Sequence, residues 1–190
     1  MQTKVMIVDD EPITRMDLKE MLEEHGFDVV GEGRNGEEAI EKARLLQPDL
    51  IIMDVKMSQM NGIKASTIIK RFSDCAILLL TAYSHKELVE DAKKAGINSY
   101  LVKPVQEREL LPAVEIALSQ RVQFLALQEK ITSLEQKMAE RKMIERAKGI
   151  VMQRFNYTED QAYRYMQKKS MNSHMTLGRV AETIMKLTSV

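Results

Sequence analysis

Val5-Met6-Ile7-Val8-Asp9-Asp10-Glu11 is the stretch that decides the fold. An unbroken apolar run of this length is the mark of a strand buried on both faces, as in a parallel sheet. Further short runs follow at residues 29–30, 50–53, 77–80 and 100–102. Between them lie helix-period segments at residues 14–25, 36–47, 63–72, 85–95 and 107–118. Strands alternating with helices predict a doubly wound α/β domain. Pro12, Pro48, Gly26, Gly62 and Gly96 punctuate the joins.

The polar residues that end these runs matter most. Asp9 and Asp10 follow the first, Asp54 the third, Thr81 the fourth, and Lys103-Pro104 the fifth. In a doubly wound sheet, ligands bind beyond the carboxyl ends of the strands. Converging carboxylates suit Mg²⁺, which prefers a few carboxylates and several waters. One oxygen of Asp54 is placed to attack a phosphoryl group. Mg²⁺ and the Lys103 ammonium would neutralise the transferring oxygens. The Thr81 hydroxyl is placed to hydrogen-bond the transferred group. An isolated Asp-Asp is usually only a solvated turn; the convergence carries the reading.

Composition adds limits. The chain of 190 residues is 44% hydrophobic and 29% charged, which fits a soluble protein of one full domain and a smaller one. The single Cys75 forms no internal disulfide. No uninterrupted apolar run approaches ~18 residues and no signal peptide precedes the first strand, so a cytoplasmic protein with no membrane partner is expected. The net charge of zero hides a split. Residues 141–190 carry ten Lys/Arg and four Asp/Glu, about +6, leaving about −6 on the first 140. A basic tail of this size favours a polyanion, whereas the acidic front does not.

The fifth helical pattern does not stop at residue 118. From Pro112 to about residue 155 there is no further proline, and Gly149 is the lone glycine. Ala117, Phe124, Ile131 and Met138 recur every seven residues, with Leu127 and Leu134 three after Phe124 and Ile131. This is an a/d seam with Gln120 and Arg141 as weak ends, and it predicts a parallel dimer through Phe124, Leu127, Ile131, Leu134 and Met138. Lys130 and Glu135 form an attractive g–e pair across such a dimer, whereas Lys137 and Lys142 repel.

Three helices are predicted in the tail. The first continues through Ile144, Ala147, Val151 and Phe155. The second starts at Thr158, with Gln161 completing a capping box. The third starts near Thr176, with Leu177, Val180, Ala181, Ile184 and Leu187 on one stripe. Seven of the fourteen methionines fall at or beyond Met138, and most are read as core. Gly149 costs ~1 kcal/mol against Ala inside a helix, so a close approach by another backbone, or tight helix packing, is its expected reason. Arg146, Lys148, Arg164, Lys168 and Lys169 supply candidate phosphate contacts. Tyr163 and Tyr165 point to different faces. Tyr163 is the candidate for stacking on an unpaired base, and Tyr165 is read as core.

Residues 1–118 resemble the receiver domain of two-component response regulators. The matching pieces are Ile7-Val8-Asp9-Asp10-Glu11, Met53-Asp54 with Met57 and Gly62, Leu80-Thr81-Ala82, and Tyr100-Leu101-Val102-Lys103-Pro104. The resemblance implies a flavodoxin-like fold with a parallel five-stranded sheet and phosphorylation of Asp54 by a cognate sensor histidine kinase. It implies Asp9, Asp10, Asp54 and the Lys56 backbone carbonyl as Mg²⁺ ligands, Thr81 and Tyr100 as switch residues, Lys103 as the phosphate partner, and a cis bond before Pro104. Ser58 stands where such families usually have proline.

Residues 142–190 resemble the ANTAR domain, an RNA-binding antitermination module. Ala147-Lys148-Gly149-Ile150-Val151-Met152, Thr158 to Ala162-Tyr163, Lys168 to Met171, and Val180-Ala181 with Ile184 carry the likeness. The expected organisation is a receiver at 1–118, a coiled-coil linker helix at 119–141 and an all-α three-helix ANTAR module at 142–190. The resemblance extends to response regulators of ethanolamine-utilisation operons. It implies an RNA-binding surface of Arg146, Lys148, Gly149, Tyr163, Arg164, Lys168 and Lys169, a leader RNA with hairpin loops as ligand, and a homodimer formed on phosphorylation. Such a protein is a switch that gains and loses a phosphoryl group, not a metabolic enzyme. Two rivals remain: a DNA-binding helix-turn-helix regulator and a phosphorelay protein that binds only partners. A largely apolar third helix counts against the first, and the basic tail against the second.

Overall fold

The structure, a computed structural model, describes residues 2–82, 97 and 99–187. The helix expected over residues 85–95 and Gly96 lie outside the described residues. Five parallel strands, β1 (Lys4–Val8), β2 (Asp28–Gly33), β3 (Leu50–Asp54), β4 (Ala76–Thr81) and β5 (Ser99–Val102), form one sheet in the order β2-β1-β3-β4-β5. Every residue of β3 and β4 is buried, and so are Val5 to Val8 of β1. Continuous apolar runs end up here because helices cover both faces of these strands. Register sets Val8 beside Met53, Asp54 beside Leu80 and Thr81 beside Val102. Asp9, Asp54, Thr81 and Lys103 therefore leave the sheet along one edge.

Helices α1 (Pro12–Glu24), α2 (Gly36–Leu46) and α3 (Gly62–Ile69) start where local chemistry directs. Proline opens α1, where its missing N–H costs nothing. Asn35 and Asn61 cap α2 and α3, accepting from the Glu38 and Lys64 N–H groups at 2.9 Å. One core layer packs Leu18 and Leu22 of α1 with Leu110, Ala113, Val114 and Ala117 against Val5, Ile7, Ile52 and Leu78. The other packs Ala39, Ala43, Ala65 and Ile69 against Met6, Val8, Ile51 and Ile77.

Helix α4 (Glu107–Phe155) runs unbroken for 49 residues, with Pro112 in its second turn and no proline after it. An 18-residue window of it has a mean hydropathy of 1.3, enough by length and composition to cross a membrane. The uninterrupted runs read in the sequence are shorter because Glu115 and Arg121 break them. Four residues of its first turns lie in the receiver core, so we read α4 as a core helix that continues into a seam. The chain divides into two compact units, Met1–Ala126 and Leu127–Val190, with the boundary inside the linker expected at 119–141.

In the second unit, α5 (Glu159–Ser173) and α6 (Leu177–Lys186) complete a small core with α4: Ala147, Val151, Ala162, Met166, Val180 and Ala181. Both halves of the Thr158–Gln161 capping box form, and Thr176 caps α6. Met166 is buried and Met143, Met152 and Met185 pack on this core, whereas Met138, Met171 and Met175 are exposed. Leu187 departs from the expected stripe. It keeps helical backbone as the C-cap of α6, with its N–H on the Thr183 carbonyl, but is 69% exposed where the stripe runs past the small core.

Candidate phosphoryl-transfer site and basic module

Asp9 is fully buried at the end of β1. Its N–H donates to the Gly33 carbonyl at 3.1 Å, and its Oδ1 accepts from the Glu11 N–H at 3.0 Å. Its Oδ2 lies 2.7 Å from the Lys103 Nζ as an ion pair, but out of line for a hydrogen bond. Lys103 Nζ also donates to Asp54 Oδ2 at 3.0 Å. The Lys103 N–H bonds the Thr81 carbonyl at 2.8 Å, which locks the lysine to the end of β4. The Lys56 N–H donates to Asp54 Oδ1 at 3.3 Å. One carboxylate oxygen from each of Asp9, Asp10 and Asp54 lies within 4.8 Å of the others. Lys103–Pro104 is cis.

The electrostatics match the geometry. Burial raises the Asp54 carboxyl above the usual range, against the lowering effect of Lys103 and with a further push from Asp9. Burial alone would depress the Lys103 ammonium. Asp9 and Asp54 outweigh it, and the net shift is upward. Three carboxylates gathered this closely repel unless a cation joins them. Asp9 Oδ2, buried and without an aligned donor, fits a hard divalent ion with oxygen ligands.

Sequence reading missed Arg15. Its Nη1 donates to the Asp9 carbonyl at 2.6 Å and its Nε to Glu32 Oε2 at 3.2 Å, so α1 and β2 jointly hold the acidic turn. Thr81 is buried, and Tyr100 is 44% exposed on β5. Without proline at Ser58, the loop turns through Gln59 in the left-handed region (φ +66°), with the Met60 N–H on the Ser58 carbonyl at 2.8 Å. Gly62 is fixed by space: a Cβ there would lie 2.1 Å from the Asp54 carbonyl oxygen. Gly62→Ala is expected to destabilise the receiver by about 1–3 kcal/mol, read as a lower melting temperature. An unchanged melt would mean that the loop yields freely.

The basic module shows a different departure. Lys148, expected as a phosphate contact, is buried to 9% exposure and held by Glu145 Oε2 at 2.6 Å and Glu159 Oε1 at 2.7 Å. The hydrogen bonds it donates to Glu145 and then Glu159 raise its ammonium pKa. Its charge is already spent on ties to its own helix and to the first turn of α5. Arg146, Arg164, Lys168 and Lys169 are exposed and form no ion pair among the described residues. A Cβ at Gly149 would meet nothing within 4 Å, so packing within the module does not explain that glycine. Tyr163 is 41% exposed, whereas Tyr165 packs on the module core and against the Phe155 ring (5.4 Å between centroids). Along α4, Phe124, Leu127, Ile131, Leu134 and Met138 are each at least half exposed.

Comparison with known proteins agrees with this anatomy. Residues 5–115 match the family described as response regulator receiver domain, and residues 132–185 match the ANTAR domain. The transcriptional regulatory protein PdtaR of Mycobacterium tuberculosis H37Rv is 42% identical over 183 residues, 96% of this chain and 89% of that protein. The chemotaxis protein CheY of Thermotoga maritima is 39% identical over 60% of this chain and 96% of its own length. Among solved structures, the receiver domain of a modulated diguanylate cyclase from Desulfovibrio desulfuricans G20 aligns with a TM-score of 0.60. It is 29% identical and covers 64% of this chain and 97% of that one. A CheX–CheY–BeF3–Mg²⁺ complex from Borrelia burgdorferi aligns at 0.57, with 28% identity over 59% of this chain and 86% of that one.

Proposed function

The chain belongs to the two-component response regulators, with a receiver domain followed by an ANTAR domain, and on that premise we propose that it is a phosphorylation-activated transcription antiterminator. The observation that carries the first half is the convergence of Asp9, Asp10, Asp54 and Lys103 on one sheet edge. Asp54 is the phosphoacceptor. Asp9, Asp10, Asp54 and the Lys56 carbonyl would hold Mg²⁺, which supplies charge neutralisation on the transferring oxygens. The Borrelia CheX–CheY complex, similar to this receiver, contains Mg²⁺ with BeF3.

In the reaction an Asp54 oxygen attacks the phosphorus of a kinase phosphohistidine. An O–P bond forms as the N–P bond breaks, and the imidazole leaves with its electron pair. Lys103, freed from Asp54 Oδ2, turns to a phosphoryl oxygen, and the Thr81 hydroxyl donates to another. Thr81 and Tyr100 then report the change to the surface. The same pocket admits water for dephosphorylation.

The output is RNA binding by residues 142–190 in a dimer joined through the α4 seam. Exposed, unpaired cations on a small module favour a polyanion, and an exposed Tyr163 favours unpaired bases over a duplex. Two modules would hold hairpin loops of a nascent leader and keep a terminator from forming. The operon, including the ethanolamine-utilisation operons of the sequence resemblance, is set by which leader is read. The protein works in the cytoplasm beside its kinase. Measuring the affinity of the phosphorylated full chain for a hairpin-loop RNA and for duplex DNA of the same stem tests the reading. Preference for the duplex would overturn it.

Lys168→Ala is expected to reduce the slope of log affinity against log salt by roughly 0.7–0.9. Lys148→Ala should leave that slope unchanged and instead lower the melting temperature, because its ammonium ties Glu145 to Glu159. Equal slope changes would return Lys148 to the RNA surface. For Tyr163→Ala the expectation is a loss of discrimination between loop sequences worth about 1–3 kcal/mol, with little change in melting. A large drop in melting temperature would make it a core residue.

A further inference from the structure

The helical module carries clefts beside the exposed cations Lys168 and Lys169, away from the α4 seam. Two open beside α5 and α6 and share Tyr165, Lys169 and Ser173. The larger, about 440 Å³, adds Lys168 and Asn172. The smaller, about 260 Å³, has an apolar wall that includes Met175, Val180 and Ile184. Together they have the size of a small-ligand pocket.

Tyr165 is shared by both clefts. The Phe155 ring stands 5.4 Å from it and the Tyr157 ring 6.1 Å, so its position is fixed by two aromatic neighbours. Its remaining surface lines both clefts. A ring already immobilised loses little freedom when a second planar group stacks on it. Beside it stand a side-chain amide able to donate and accept, a hydroxyl, and two ammonium groups with no carboxylate partner among the described residues. Planar apolar face, hydrogen-bonding edge and nearby cations together describe the complement of a nucleotide. An acidic peptide would satisfy the lysines but leave the fixed ring and the amide without a matching group.

We propose that this cleft takes one unpaired nucleobase of the bound RNA, stacked on Tyr165, with its edge toward Asn172 and its flanking phosphate at Lys168 and Lys169. The proposal rests on the reading of residues 142–190 as an RNA-binding module and assigns that module a base-reading pocket separate from Tyr163.

The test uses the full-length phosphorylated chain and short hairpin RNAs selected from a randomised-loop pool. Each loop base of a selected hairpin is replaced in turn by an abasic site. At one position the wild type is expected to lose about tenfold or more in affinity, the scale of one stacked base. Asn172→Ala and Tyr165→Leu should bind the intact hairpin more weakly and lose nothing further at that position. Asn172 is exposed, so its variant keeps the test valid if Tyr165→Leu fails to fold. Equal abasic losses in wild type and Asn172→Ala at every position would overturn the cleft while leaving RNA binding intact. A wild type that binds no hairpin would overturn the RNA reading and the cleft with it. Binding of an acidic peptide that Asn172→Ala weakens, with RNA affinity unchanged by the peptide, would reassign the cleft to a protein partner.

Discussion

Asp54→Ala is expected to abolish phosphorylation by a small-molecule phosphodonor with Mg²⁺, to the detection limit of intact-mass spectrometry. Of the three clustered carboxylates, Asp9 is enclosed and tied through Oδ1 to the Glu11 N–H, and Asp10 lies exposed beyond the strand end. Asp54 ends β3, is hydrogen-bonded to both Lys103 and the Lys56 N–H, and stands between β1 and β4. Lys103→Ala should retain a labelled but much slower reaction, since it removes charge neutralisation and not the nucleophile. Acid-stable or full-stoichiometry labelling of the Asp54 variant would refute the assignment.

The same residue predicts a pH signature. Burial raises the folded-state pKa of Asp54 despite Lys103, so the ionised form is disfavoured in the fold. The cost is absent at low pH, where folded and unfolded chains both bind the proton. It develops as pH rises from the usual carboxylate value through the raised one, and is complete above that. Asp54→Asn should therefore raise the melting temperature at neutral pH, and the gain should vanish as the pH falls below the ordinary carboxylate range. A gain that persists in acid would point to packing instead of charge.

Much of this anatomy is legible in the chain because the signals are local. The runs of β1, β3 and β4 read as doubly covered strands, and each polar residue that ends a run lands at the sheet edge. The Thr158–Gln161 box and Thr176 announce α5 and α6 from single residues. What was not legible depends on elements meeting across the fold. Arg15 reaches Glu32 only because β2 lies beside β1, a fact of strand order that spacing does not carry. Glu145 is a helical neighbour of Lys148 and was readable. Glu159 is eleven residues away across the turn into α5, and its grip on Lys148 depends on how that turn folds. Tyr165 reads as core from sequence, yet its two aromatic partners and its open side emerge only when α4, α5 and α6 are packed.

Ile131→Glu is expected to weaken the dimer by roughly ten- to a hundredfold and to carry RNA binding down with it. Ile131 and Leu134 occupy consecutive a and d positions, the β-branched and γ-branched pairing that favours two parallel strands. They are 55% and 52% exposed in the single chain, about half a side chain each left for a partner to cover. Full burial of such a side chain contributes about 1.5–3 kcal/mol, and the substitution acts on both protomers, so half coverage in each forfeits about that amount once. Opposed carboxylates add repulsion. Because the seam is exposed in the single chain, the variant should melt like the wild type, separating lost assembly from lost folding. Lys142→Glu should do the reverse, replacing the Lys137–Lys142 repulsion with attraction. In such a marginal balance a few kcal/mol from phosphorylation is enough to shift the population. Sedimentation of both variants with and without phosphodonor checks this. Identical monomer–dimer distributions for wild type and Ile131→Glu would place the dimer interface elsewhere.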